Sequence, residues 1–295
     1  MFRYLRVKKQ PQKIVPDNGS ISAEQLAGDS SFPITIRQLN NLPSLTKQRL
    51  YRSLIPATVL TNQKIDPVSW KSSDGTNCIN LRAESDSSVV KISARLQCES
   101  KGEFYCLEIA DNIFNGIDLN MLILNDPSSP RFNIDFDAQG NPTSLGTVSR
   151  NLVEEEKAMR TGLAPGQVRS SSGNLSLVLS HLETFLIALG HRAYFLEPLT
   201  YASAWIFERK GFAYVRGHKM MDDIHKEMQQ GGKLRAALDG KSPFRSEEHW
   251  HTVRGRAWAI QDGILEAIDQ RWNGLRMVKQ IGHPAGVDTF PGATY

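Results

Sequence analysis

The sequence predicts a mixed α/β fold, a mostly antiparallel sheet flanked by helices, with a C-terminal helical extension. Three observations predict it. Between residues 90 and 137 several apolar runs follow one another too closely for helical crossovers, so they pair antiparallel. From Asn151 the apolar period changes from that of a strand to that of a helix. Helix-like and strand-like runs then alternate as far as Val215, which is the order of one mixed sheet carrying helices.

Composition sets the bounds. With 295 residues, 40% of them hydrophobic, the chain can bury one sizeable core, or one core with an appended subdomain. A net charge of +4 is too small for a nucleic-acid signature. It fits an acidic, nucleotide-like ligand, and it fits simple solubility. The cysteines are Cys78, Cys98 and Cys106. Their number is odd and no two form C-x-x-C, so neither a disulfide framework nor a zinc site is expected. A reducing, cytoplasmic setting follows. The start, MFRYLRVKKQPQK, is basic and no apolar stretch follows, so it is not a signal peptide. Pro11 and Pro16 favour a solvated arm there over a short edge strand. No apolar run is long enough to cross a bilayer. Neither membrane nor nucleic acid is therefore expected as a partner, and a homo-oligomer is compatible.

The elements follow in order. Residues 1–30 form a loose lead-in, ending in a stretch rich in Ser, Gly and Asp. PITIRQL (33–39) alternates and predicts a first strand. SLTKQRLYRSLI (44–55) predicts a short helix ended by Pro56. In VKISARLQC (90–98) apolar and polar residues alternate strictly, the pattern of a half-buried strand. EFYCLEIA (103–110) is its hairpin partner. IDLNMLIL (117–124) is a third strand, stopped by Asn125, Asp126 and Pro127. FNIDFD (132–137) alternates before a turn and predicts a fourth. LVEEEKAMR (152–160) is a short charged helix. Leu175, Val178, Leu179, Leu182, Phe185, Leu186 and Leu189 define the buried face of an amphipathic helix, closed by Gly190. RAYFLEP (192–198), SAWIFERK (203–210) and FAYV (212–215) read as strand, helix and strand. The main domain spans 31–216. Residues 217–295 form the helical extension and an irregular tail.

The chemistry concentrates in residues 164–215. There a loop rich in Ser and Gly opens directly into the amphipathic helix. Such a junction leaves backbone N–H groups unpaired and adds the positive end of the helix dipole, which suits phosphate groups. The serine hydroxyls add donors and Arg169 a charge.

These residues resemble the GNAT superfamily of coenzyme A-dependent N-acyltransferases. Gly173 falls on the first glycine of that family's pyrophosphate loop. Val178-Leu179 and Leu182-Glu183 fall on its helix pairs, Gly190 on the closing glycine, and Phe207-Glu208-Arg209-Lys210-Gly211-Phe212 on its terminal signature. The resemblance implies a small-molecule acyl donor, acetyl-coenzyme A or another acyl-coenzyme A. Its pyrophosphate would rest on Arg169, Ser170, Ser171, Ser172, Gly173, Asn174 and Leu175. An amine of unspecified identity would accept the acyl group.

The pattern also departs from the family. Ser170 stands at a Gln/Arg position and Leu175 at a Gly/Ala position. Phe207 replaces the frequent general-acid tyrosine, which leaves an ordered water or Tyr201 as acids. Thr200 replaces a frequent asparagine, and the charged helix stands where the family has its central strand. A non-catalytic ligand- or partner-binding protein on the same fold is therefore the second reading, and an unrelated fold the third. A splayed pair of parallel strands would separate the first two readings from the third.

Two other clusters carry chemically capable side chains. His249 and His251 could share a metal on a strand, but Ser246 followed by Glu247 and Glu248 reads better as a capped helix start. The three glutamates of VEEEKAMR could hold a base, but read better as a solvated face. Trp250, Trp258 and Trp272 read as a packing surface for the C-terminal helices.

Overall fold

A computed structural model describes residues 32–96, 102–143 and 149–295. The lead-in and Cys98 lie outside the described residues. Three short helices open the fold: α1 (Ile36–Asn40), α2 (Ser44–Arg52) and α3 (Ala57–Thr61). Strands β1 (Ile79–Arg82), β2 (Val89–Ala94), β3 (Tyr105–Asp111) and β4 (Ile117–Leu124) follow. Next come α4 (Leu152–Arg160), α5 (Leu175–Ala188), β5 (Ala193–Leu196), α6 (Tyr201–Arg209) and β6 (Ala213–Arg216). Helices α7 (His218–Glu227), α8 (Lys233–Ala236) and α9 (Val253–Gln261) precede a last strand, β7 (Arg276–Gln280). The sheet has seven strands in the order β1-β2-β3-β4-β5-β7-β6. Among the described strands of this sheet, only the β4–β5 pairing is parallel.

The mixed, mostly antiparallel α/β class is as the periodicity predicts, and one face of β2, β3 and the first half of β4 is buried throughout, with Ser93, Cys106 and Ala110 buried on the other face as well. Ile92, Leu107 and Ile109 are fully buried, while Lys91 and Glu108 on the other face stay half-exposed. The helices α2, α5 and α6 share the buried face. The Tyr105 hydroxyl donates to the Leu54 carbonyl at 2.5 Å, Tyr194 donates to Glu183 of α5 at 3.1 Å, and Tyr214 donates to Glu208 of α6 at 2.8 Å. The α5 register is also as predicted. Val178, Leu182, Phe185, Leu186 and Leu189 are buried, and Ser176, Ser180 and Thr184 are exposed. Gly190 ends the helix in the left-handed region, φ 87°.

Several expectations are corrected. PITIRQL is not a strand; its second half is α1. Thr35 and Gln38 form a reciprocal cap, and the Asp111 carboxylate accepts the N–H groups of Ile36 at 2.7 Å and Arg37 at 2.9 Å. Together they satisfy a helix start that local alternation hides. FNIDFD is not a strand either. It has no ladder partner, and only Ile134 of its residues is buried, in a small cluster with Ala158 and Leu163. β2 stops at Ala94, earlier than VKISARLQC suggests.

β4 is the middle strand of the seven, and α4 lies in an excursion whose described residues are 126–143 and 149–170. It leaves and rejoins the sheet at one point, the bridge between Asn125 and Ser171. Arg150 holds the excursion to the C-terminal helices, bonding buried Glu155 at 2.5 Å and Asp262 at 3.0 Å. The residues after 216 contribute β7, which inserts between β5 and β6 and completes the sheet. Trp250 and Trp272 pack against the main core, whereas Trp258 is buried on Phe244 and donates its indole N–H to the Leu163 carbonyl at 2.8 Å.

Candidate functional site

β4 and β5 run parallel, but their ladder holds only Ile117 with Tyr194 and Asp118 with Phe195. Beyond these pairs β4 continues to Leu124 while β5 ends at Leu196 and turns into α6. The far half of β4 therefore has no strand on this side. Backbone groups there need a partner from a loop, solvent or a ligand. A bulge follows. Glu108 pairs with Met121 and Ile109 with Leu119, so Asn120 is left without a register partner. Its side chain reaches back to Glu108 at 3.3 Å. Beside the last β4–β5 pair, Arg276 of β7 bonds Asp118 at 2.8 Å and Glu197 at 3.1 Å.

The Ser/Gly loop closes on the far end of β4. The Ser172 N–H donates to the Leu124 carbonyl at 2.9 Å, and the Asp126 N–H to the Ser170 carbonyl at 2.8 Å. The loop thus seats the chain just before α5 on the end of β4. Asn174 occupies the cap position without a side-chain cap bond, so the first N–H groups of the helix face outward without a helix partner. Gly173 sits at φ 75° with open space where a Cβ would be, so its role is conformational. Leu175 packs against the core rather than over the loop.

Not every predicted loop donor is free. The Ser170 N–H donates to Ser129 Oγ at 3.1 Å and the Gly173 N–H to Ser171 Oγ at 3.3 Å. With Ser172 bonded to β4, the amides do not converge as one set. Arg169 is committed too, donating to the carbonyls of Pro127 and Ser129. The positive charge at the loop comes instead from α6 and the C-terminal region. Lys210 donates to Ser176 Oγ, in the first turn of α5, at 2.7 Å. A cleft of about 550 Å³ lies beside the loop, lined by Ser170, Ser171, Trp205, Arg209, Lys210, Arg254 and Tyr295 among others. Its lining has three cationic side chains and no acidic side chain. A second cleft, of about 590 Å³, lies on the other side of Lys210. There Lys279 is paired with Glu183 at 2.7 Å.

The remaining candidates are structural. Phe207 packs edge-on against Phe212 at 5.2 Å and lines neither cleft. Tyr201 is buried with its hydroxyl 3.4 Å from Arg256, and burial raises its pKa. Thr200 caps α6 by accepting the Ser203 N–H at 3.1 Å. Among the glutamates of α4, Glu154 and Glu156 bond Lys157 and Arg160, while Glu155 is buried on Arg150. Ser246 caps a turn of 3₁₀ helix at Glu247–Trp250, and among the described residues no cluster could hold a metal.

The sequence reading missed Lys210, Arg254 and Tyr295 as lining groups. Lys210 lies inside the quoted signature, but Arg254 and Tyr295 reach the loop only through the packing of α9 and the tail. Comparisons with protein-family models, curated proteins and solved structures find no match for this chain. Among the described residues, no helix is long and apolar enough to cross a membrane.

Proposed function

We propose that this chain binds an acyl-coenzyme A in a cytoplasmic setting and is built to pass the acyl group to an amine. The observation that supports the reading is the two-pair β4–β5 ladder, with a bulge at Asn120 beyond it and the loop before the uncapped start of α5 seated on the end of β4. An extended arm bearing amides can pair with the unspent edge of β4, as an added strand would. Its phosphates then meet the helix start, the serine hydroxyls and Lys210. In the transfer the amine nitrogen attacks the thioester carbonyl, the C–N bond forms, the C–S bond breaks and the thiolate leaves. The protein's part is to align the two and to polarise the carbonyl with a backbone N–H. The amine's proton passes to solvent, and solvent protonates the thiolate.

Phe207 favours a second reading, ligand binding without efficient transfer, because no tyrosine hydroxyl stands at that position. General acid help of that kind is worth about 10²–10⁴-fold in rate. Calorimetric titration with coenzyme A and acetyl-coenzyme A tests the binding, and thiol release with a panel of small amines tests the transfer. Binding with slow or absent release is expected. Absence of binding would overturn the proposal, and rapid release would overturn the second reading.

A further inference from the structure

The turn between β3 and β4 has the sequence Asn112-Ile113-Phe114-Asn115-Gly116. Its Asn and Gly are ordinary turn residues, but the Ile-Phe pair contributes nothing to turn geometry. Ile113 is 89% exposed and Phe114 84%, the two highest values among the large apolar residues described. Single exposed apolar side chains are ordinary; an adjacent pair at a protruding tip marks a contact surface. The backbone of the turn, by contrast, is satisfied from within. Asn112 Oδ1 accepts the N–H groups of Phe114 at 3.0 Å and Gly116 at 2.9 Å. The Asn115 N–H donates to the Asn112 carbonyl at 3.1 Å, and the Asn112 N–H to the Gly116 carbonyl at 2.9 Å. A tip whose donors are bonded internally can leave water without stranding them.

Charge at this end of the fold is the second observation. Asp111, next to the turn, accepts the N–H groups of Ile36 and Arg37. The Ile34 N–H donates to the Leu189 carbonyl at 2.9 Å, and the exposed Phe32 ring lies over Gly190. The chain before Phe32 therefore joins the fold beside the tip. Its first sixteen residues carry Arg3, Arg6, Lys8, Lys9 and Lys13 and no acid. Arg37 and Arg192 are exposed at this end, and so are Glu84 and Asp86 in the β1–β2 turn. The arm tips that balance to positive. An apolar wedge joined to a polybasic segment is the pair of signals that holds a protein on an anionic bilayer. The tip is also convex, and a bilayer receives a convex wedge without a matching pocket. The lack of a long apolar run argues against a span, not against a docked surface.

We infer that the β3–β4 turn docks this protein on an anionic lipid surface. Ile113 and Phe114 enter the boundary between headgroups and acyl chains, and the cations of residues 1–16 supply the attraction to the headgroups. The turn and the Ser/Gly loop stand at opposite ends of β4, so docking leaves the loop clear of the bilayer. The inference is independent of the acyl-coenzyme A reading.

Full-length wild type, the double variant Ile113→Ser with Phe114→Ser, and Phe114→Trp are sedimented with vesicles. One set of vesicles is phosphatidylcholine alone, the other equal parts phosphatidylcholine and phosphatidylserine. Wild type should pellet with the mixed vesicles and far less with phosphatidylcholine alone. The double variant should bind the mixed vesicles about tenfold or more weakly, because two apolar side chains no longer leave water. It should melt at the wild-type temperature, since exposed positions change stability little. Phe114→Trp, whose indole suits the same boundary, should bind at least as tightly as wild type. Failure of wild type to pellet with the mixed vesicles would overturn the inference. Equal binding by the double variant would overturn it too, by leaving charge alone as the cause, and so would equal binding of wild type to both vesicle sets. Weaker binding by Phe114→Trp would contradict insertion of the tip whatever the double variant does. Sedimentation equilibrium without vesicles tests the rival occupant. A wild-type dimer that the double variant loses would place a second copy of the chain on the tip and overturn the lipid reading.

Discussion

β4 has two edges, and they differ. Along one it pairs with β3 from Ile117 to Leu124, interrupted only by the bulge at Asn120. Along the other it pairs with β5 at Ile117 and Asp118 and then meets no further strand, only the Ser/Gly loop at its end. The residues are the same, so strand propensity does not explain the difference. The partner does: β5 is four residues long, and Pro198 and the cap at Thr200 turn the chain into α6. Stability is therefore invested on the β3 side and under α5 and α6, while hydrogen-bonding capacity is left over on the β5 side. Sites form where backbone capacity is unspent.

If this division is right, changes on the packed side should cost stability and leave ligand affinity alone. The largest effect should come from Leu182→Ala. Leu182 is fully buried between α5 and the sheet, and the truncation should cost about 2–5 kcal/mol in chemical denaturation. A loss much below 1 kcal/mol would show that α5 does not bury this face.

Next comes Glu208→Gln. The Glu208 carboxylate is buried and accepts from the Thr289 N–H at 2.7 Å, the Thr289 hydroxyl at 2.8 Å and the Tyr214 hydroxyl at 2.8 Å. The amide keeps one acceptor and turns a donor toward those groups, at a cost of about 1–3 kcal/mol in the same denaturation. A neutral result would mean that the tail from Thr289 onward is not tied to α6 by this group.

A smaller effect is read from pH. Burial lowers the His225 pKa, and the adjacent Arg256 guanidinium lowers it further. The unfolded chain then binds the proton more readily than the folded one. Stability should fall as pH drops below the ordinary histidine value of about 6.5, and His225→Gln should flatten that fall. An unchanged slope in the variant would remove His225 as the source.

On the unpaired side the stability effect should nearly vanish. Lys210→Ala removes only an exposed contact to Ser176, within about 0.5 kcal/mol of wild type by thermal melting. It should nevertheless weaken coenzyme A binding measurably. A stability loss with unchanged affinity would reverse the division.

Much of the packed side was legible in the sequence. Alternation in residues 90–96 and 117–124 and the leucine spacing of α5 reflect burial, which is a local pattern whenever one face is apolar. Failures came where pattern and partner part company. FNIDFD alternates but meets no strand. PITIRQL alternates, yet Asp111, over seventy residues away, caps a helix there. β7 was missed because Arg276–Gln280 offers only Met277 and Val278 as apolar residues, and its place in the sheet depends on β5 and β6. The loop was visible as a Ser/Gly run, but its cations were not. Arg169 is adjacent in sequence and spent on carbonyls, whereas Arg254 arrives through tertiary packing.

The central claim is that the free edge of β4 and the start of α5 form one ligand track. Hydrogen exchange on the full chain, with and without coenzyme A, tests it directly, because exchange reports which amides gain partners. The account predicts new protection in peptides covering residues 119–124 and 171–177, with β2 and β3 unchanged. Protection confined to other segments, or none at saturating coenzyme A, would contradict it.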